Sequence, residues 1–280
     1  MEDKKNQDIL VYTDFTEVGE KSVLWASFLA RKFKRNLQII HVINENSLIY
    51  FSKDDTYDEA KEALAALCED ISSTHGIKCK YIVEEGCTCT IINSNAERID
   101  AFFVVLGTHG KNDPQFLSGS SAIKIIRKAR IPYFVVQKNS PVPDSKKRFV
   151  LPMNFKKEAK QKVGWTTYFA LNLKLEIDLF YYENPQDNLK KNIHFTNTFF
   201  NNYSFKYEHK PQPKKYKSIE KLAVDYADEI DAFCICLLIS SKENLVTKIF
   251  GFPETSIITN SAGIPVLCVN PKKDLYIPCI

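Results

Sequence analysis

The chain has 280 residues, 44% hydrophobic and 26% charged, with a net charge of +4. This is the composition of a soluble globular protein, and as a soft prior the length suits about two domains of ~140 residues, each able to bury a core without staples. No apolar segment behind a basic start suggests a secretory signal. The longest apolar run, Ala232 to Ile239, is far short of the ~20 residues that span a bilayer, so a cytoplasmic location and no membrane partner are expected.

Residues 1–140 hold 18 of the 38 basic and 19 of the 34 acidic side chains, so the positive excess belongs to the second half. It is scattered over Lys156, Lys157, Lys190, Lys191, Lys214 and Lys215 without interleaved aromatics. That pattern reads as solvated faces and predicts no nucleic-acid partner. The eight cysteines do not form a disulfide framework or a zinc pattern: Cys234, Cys236 and Cys268 fall in apolar runs, and Cys87-Thr88-Cys89 lacks the paired spacing of a metal site.

In chain order, Ile9 to Thr13 reads as a strand ending at Asp14, with Asp14 or Thr16 capping a helix from about Glu20 to Lys34. Leu37 to Val42 is a strand, Tyr57 to Ser73 a helix, and Lys78 to Val83 a half-polar strand nearer an edge. Cys89 to Ile99 is a short helix. Ala101 to Leu106 reads as a buried parallel strand, followed by Gly107-Thr108-His109-Gly110, a polar loop and Gly119-Ser120-Ser121. An amphipathic helix with Ala122, Ile125, Ile126 and Ala129 inward then leads to the strand Ile131 to Val136. Strands alternating with helices predict βαβ units and a parallel sheet with right-handed crossovers. Lys138 to Lys147, KNSPVPDSKK, is a linker by its prolines, serines and charges.

The second half repeats the first. Thr13-Asp14-Phe15 falls on Met153-Asn154-Phe155 and, without a gap, Val23 on Val163, Trp25 on Trp165, Ala30 on Ala170 and Ile40 on Phe180. Later, Asp100-Ala101-Phe102 matches Asp231-Ala232-Phe233 and Ile131-Pro132 matches Ile264-Pro265. A period of ~135–140 residues is a duplicated domain, not a solenoid unit. The reading places one domain over residues 1–140 and a degenerate copy over 146–280.

The glycine stretch suits an anion. Glycines allow close backbone approach, successive N–H groups form a nest, and a helix N-terminus has unpartnered N–H groups and a partial positive charge. Ser120 and Ser121 hydroxyls add donors, and Lys111 adds a point charge. The same residues also suit a plain turn with an N-cap. No Walker A Gly-Lys-Ser/Thr follows, and the spacing is not the dinucleotide fingerprint.

Gly107-x2-Gly110-x8-Gly119-Ser120, set between an apolar strand and an amphipathic helix and closed by Ile131-Pro132, resembles the ATP-binding signature of universal stress proteins, one residue shorter than the family's commoner spacing. The resemblance implies an adenine nucleotide as ligand: ATP, or AMP or ADP, with or without Mg. It implies the adenine and ribose end at Thr13, Asp14 and Val42, with His41 as neighbour, and the phosphates at Gly107, Thr108, Gly110, Gly119, Ser120 and Ser121. It also implies two open parallel five-stranded sheets flanked by helices, paired through their last strands (Val135-Val136 with Val266 to Val269) as an internal pseudo-dimer, and leaves a homodimer open.

In the second half the glycines become Leu238-Ile239-Ser240-Ser241, Gly119-Ser120 falls near Phe252-Pro253, and Asp14 becomes Asn154. Glu254 at the start of the next helix is expected to repel phosphate. The second half is therefore read as keeping the fold and losing the ligand. No catalytic constellation is legible: Asp113 is the only carboxylate in the loop, Ser120 has no identifiable base, and His109 reads as a loop histidine. The expected function is a nucleotide-responsive stress factor with at most slow ATP hydrolysis. A ligand-free interaction module and a nucleotide-hydrolysing enzyme are the alternatives.

Overall fold

The computed structural model describes residues 7–109, 117–143, 147–213, 218–239 and 252–270. Gly110, Lys111, Asp113, Lys214, Lys215, Ser240 and Ser241 lie outside these residues. In the first half, strands β1 (Ile9–Tyr12), β2 (Leu37–Ile43), β3 (Cys79–Glu85), β4 (Val104–Thr108) and β5 (Tyr133–Gln137) alternate with helices α1 (Glu17–Phe33), α2 (Thr56–His75), α3 (Thr88–Arg98) and α4 (Gly119–Lys128). The second half supplies β6 (Arg148–Pro152), α5 (Gln161–Leu173), β7 (Glu176–Tyr182), α6 (Asp187–Phe200), β8 (Tyr207–Gln212), α7 (Ile219–Glu229), β9 (Cys234–Leu238), α8 (Thr255–Ile258) and β10 (Val266–Val269).

The helix boundaries follow from capping. Thr16 is extended and its hydroxyl accepts from the Gly19 N–H at 3.1 Å, so α1 begins a turn earlier than periodicity alone predicts. Glu17 and Glu20 favour the positive end of that helix, and Lys34 stops it in a left-handed conformation at φ 54°. The second half stops α5 in the same way at Lys174, φ 56°. Asp100 and Asp231 form a second left-handed pair at φ 48° and 51°. These cost energy for non-glycine residues, so their recurrence at matching positions reflects shared local structure.

The strands form one sheet in the order β3-β2-β1-β4-β5-β10-β9-β6-β7-β8. Neighbours are parallel except at the centre, where β5 and β10 pair antiparallel, with Val135 opposite Val266, Phe134 opposite Leu267 and Tyr133 opposite Cys268. The two expected five-stranded sheets are thus halves of a single ten-stranded sheet. Joining them covers two apolar edges that would otherwise invite association.

One face carries a core common to both halves. Trp25 lies 5.3 Å from the Phe233 ring, Phe102 lies 5.2 Å from Trp165, and Phe33 lies 4.9 Å from Phe169. Arg35 lies over Phe102 at 3.6 Å and donates to the Tyr168 hydroxyl at 3.3 Å, tying the halves at the rim of this core. On the opposite face Gln137 Nε2 donates to the Ile258 carbonyl at 2.8 Å, and Asn270 Nδ2 donates to the Ala129 carbonyl at 2.8 Å.

Two expectations change here. Gly107 and Thr108 are not loop residues: both belong to β4 and pair with Val136 and Gln137. A side chain at Gly107 would place its Cβ 2.6 Å from Val18 Cγ1 and 2.9 Å from the Val18 carbonyl oxygen, so this glycine lets α1 lie close on the sheet. Likewise α8 has four residues. So short a helix carries little aligned dipole, so the expected repulsion of phosphate there rests on the Glu254 charge itself.

Candidate functional site

The C-terminal ends of β1 and β2 open onto a cavity of about 220 Å³ whose lining includes Tyr12, Asp14, His41, Asn44, Thr88 and Ser121. It lies beside the place where strand order reverses, between β1 and β4, the usual ligand crevice of open α/β sheets. A larger outer cleft of about 820 Å³ shares Asn44, Asn46, Cys87 and Thr88 with it. The outer cleft presents Glu45, Asp54 and Glu85 against Lys53, an acidic surround for any anion.

Asp14 is the fixed charge of the inner cavity, with only 11% of its side chain exposed. The Thr16 N–H and hydroxyl donate to Oδ1 at 3.2 and 2.6 Å, and His109 Nε2 lies 3.1 Å from Oδ2 and 3.2 Å from Thr16 Oγ1. Because the Thr16 proton points to Asp14, Nε2 is the donor in both contacts. Burial raises the Asp14 carboxyl, but the bonds from His109 and Thr16 outweigh it and hold the group below the ordinary carboxylate value. The site therefore holds an ionised acceptor with a locked orientation.

Its supports explain several nearby residues. A Cβ at Gly19 would come 2.6 Å from Asp14 Oδ1 and 2.8 Å from Thr13 Oγ1, so the glycine makes room for the carboxylate. Phe15 adopts φ 59°, a costly conformation for an aromatic residue. Its ring packs edge-on against His41 at 4.8 Å and Phe51 at 4.9 Å.

His41 is buried, with Nδ1 2.9 Å from the Thr13 carbonyl and Nε2 3.0 Å from Ser47 Oγ. Nδ1 donates to the carbonyl and Nε2 accepts from the hydroxyl, so the neutral ring fits its surroundings. Burial accordingly pushes this imidazole below its ordinary value of 6.5. Below that pH the unfolded chain takes up a proton that the folded chain refuses, so stability falls as the pH drops from about 6.5. His41→Gln should flatten this part of the profile, measured as urea midpoints from about pH 7 to 5; an unchanged slope assigns the dependence elsewhere.

At the cavity's other side, α4 starts with a hydroxyl cluster. Ser118 caps the helix by accepting from the Ser121 N–H at 3.3 Å, and its Oγ lies 2.9 Å from Ser120 Oγ and 3.2 Å from Ser121 Oγ. Ser121 lines the cavity, whereas Ser120 is exposed.

Of the residues singled out from sequence, Asp14, His41 and Ser121 meet around this cavity. Thr13 and Val42 are buried beneath it: Thr13 Oγ1 accepts from the Phe15 N–H at 3.2 Å, and Val42 packs in the core while its carbonyl accepts from Asn44. Thr108 turns its hydroxyl to the carbonyls of Val136 and Ile258 at 3.3 and 3.2 Å. Gly119 is buried against the second half, where a Cβ would stand 2.2 Å from Thr259 Cγ2. Sequence reading missed Tyr12, Asn44, Ser47, Thr88 and Ser118. Ser118 carried a legible signal as an N-cap, and Asn44 closes the turn after β2 by accepting from the Asn46 N–H at 2.9 Å. His109, which the sequence suggests is a loop residue, is buried against Asp14.

Among the described residues no group of three or more His, Cys, Asp or Glu gathers as a metal site, and no helix is long and apolar enough to cross a membrane.

Residues 5–137 match the sequence model of the universal stress protein family. No curated protein matches the chain in sequence. A universal stress protein from Archaeoglobus fulgidus superposes with a TM-score of 0.76 at 17% identity, over 96% of this chain and 98% of its own. A protein of unknown function from Pseudomonas aeruginosa superposes with a TM-score of 0.64 at 14% identity, over 95% of this chain and 93% of its own. Both likenesses extend the shared fold across both halves of the sheet. Residues 5–137 belong to the universal stress protein family.

Proposed function

We propose that the first of two domains, residues 1–140, binds an adenine nucleotide, ATP or its relatives, and that the chain acts in the cytoplasm as a nucleotide-responsive stress factor. The observation that carries this reading is the ionised, doubly supported Asp14 carboxylate facing a cavity whose opposite side is the hydroxyl-rich start of α4. A carboxylate acceptor suits the hydroxyls of a ribose or an exocyclic amine, and it repels phosphate. The acidic outer cleft repels phosphate too. The phosphates, with any magnesium they bring, are therefore assigned to the α4 side, where Ser121 and the Ser118 cap offer donors at a helix N-terminus. In this reading Gly107, Thr108 and Gly119 shape the site from behind, and the second domain is a degenerate copy.

ATP, ADP and AMP should each be tested by thermal shift on the intact chain. At about 100 times Kd a nucleotide adds roughly 2.7 kcal/mol, a rise of a few degrees in Tm. Asp14→Ala should remove the rise, and Ser121→Ala should weaken ATP more than AMP. Absence of a shift with any of the three nucleotides refutes the reading.

A further inference from the structure

The second half has its own cavity at the matching place. About 370 Å³ in volume, it opens at the C-terminal ends of β6 and β7 against the start of α7, with Met153, Phe155, Tyr182, Leu189 and Ile219 supplying its apolar wall. It exceeds the inner cavity of the first half and falls within the range of small-molecule sites, which are mostly apolar with a few placed polar groups. The nucleotide-site residues read in the first half do not recur: Asn154 replaces Asp14, Leu238 replaces Gly107, and Pro253, near the counterpart of Gly119-Ser120, has no N–H to donate.

Two observations show a changed rather than an abandoned site. First, Phe15 is held at φ 59° and clamped between His41 and Phe51, whereas its counterpart Phe155 is not among the positive-φ residues and is 62% exposed at the cavity. A large exposed aromatic beside a concave apolar surface offers a ring face to a guest. Second, the polar groups are organised. Asn154 Nδ2 donates to Glu220 Oε1 at 2.7 Å, its Oδ1 accepts from the Lys156 N–H at 3.0 Å, and Asn192 Nδ2 holds the Asn154 and Lys156 carbonyls at 2.8 and 2.9 Å. Among the described residues, the charges lining the cavity are the Glu183 and Glu220 carboxylates and the Lys156 ammonium; the Glu220 carboxylate suits an N–H or O–H donor.

We propose that this cavity binds a flat, uncharged aromatic molecule bearing a hydrogen-bond donor and no phosphate, with Phe155 packing on its ring and Glu220 accepting its donor. The two halves then take different ligands at equivalent places. This is independent of nucleotide binding by the first half.

Indole is a suitable probe, and indoxyl phosphate is the same ring system with a phosphate attached. Saturation-transfer NMR on the intact chain should show indole binding. Phe155→Ala, a surface change, should weaken it about tenfold, as expected for a lost aromatic partner, and Phe155→Trp should retain it. Asp14→Ala should leave indole binding unchanged, which separates this site from the first-half cavity. The proposal is overturned if indole gives no signal, if Phe155→Ala binds it equally well, if indoxyl phosphate binds as tightly, or if Asp14→Ala abolishes the signal.

Discussion

Phe169→Ala should lower the stability of the whole chain by about 3–5 kcal/mol, the usual cost of emptying a buried phenylalanine site. Phe169 belongs to α5 and has no exposed surface, yet among the described residues three of its four ring neighbours come from the other half. Phe33 lies at 4.9 Å, Phe103 at 5.6 Å and Phe134 at 5.9 Å, with Phe149 of its own half at 6.2 Å. The cavity left by truncation would therefore open between the halves. Because β5 and β10 also share hydrogen bonds, neither half can unfold without exposing the other's aromatic face. A single calorimetric transition is expected in the native chain and in the variant, shifted as a unit, with equal calorimetric and van't Hoff enthalpies. Two separated transitions, only one of them moved by the substitution, would show that the halves are energetically independent and that the shared core matters less than its geometry implies.

Much of this architecture was legible because it rests on local periodicity. The alternation of apolar strands and amphipathic helices gives the parallel order, and the coincidence of Trp25 with Trp165 is the basis for expecting a repeat. The pairing of the last strands, Val135-Val136 with Val266 to Val269, followed from the family resemblance, whereas its register, Val135 opposite Val266, is seen only in the structure. The site was less legible, for a physical reason. Glycine serves equally where a ligand needs bare amides and where another element needs close approach. At Gly107 and Gly119 the neighbours that distinguish these uses, Val18 and Thr259, are distant in sequence. The His109–Asp14 contact, 95 residues apart in sequence, has no local signature either. Asp14 was legible because a carboxylate just beyond a first strand either caps a helix or meets a ligand. Here it accepts from Thr16, the cap itself, and still faces the cavity.

Gly119→Ala should destabilise the chain by about 1–3 kcal/mol with no nucleotide present, the range found for overpacked cores. The added Cβ would lie 2.2 Å from Thr259 Cγ2 and 3.3 Å from Thr255 Cγ2, so the first turn of α4 and the α8 segment would be forced apart. Thr259→Ser removes the offending methyl and keeps the hydroxyl that donates to the Thr255 carbonyl at 2.8 Å. The nearest remaining atom of residue 259 is then Cβ at 3.5 Å, an ordinary contact. The double variant should recover most of the loss, giving a coupling energy that a double-mutant cycle measures directly. Nucleotide affinity in the same four proteins separates the two uses of this glycine. If Gly119 acts by packing, the double variant binds ATP like the native chain, because the Ser118 cap and Ser121 return to their places. If the phosphates need the bare backbone at Gly119 itself, stability returns and affinity does not. The short separation from Thr259 favours the first outcome, since Thr259, just past α8, already occupies the space into which a side chain at residue 119 would project.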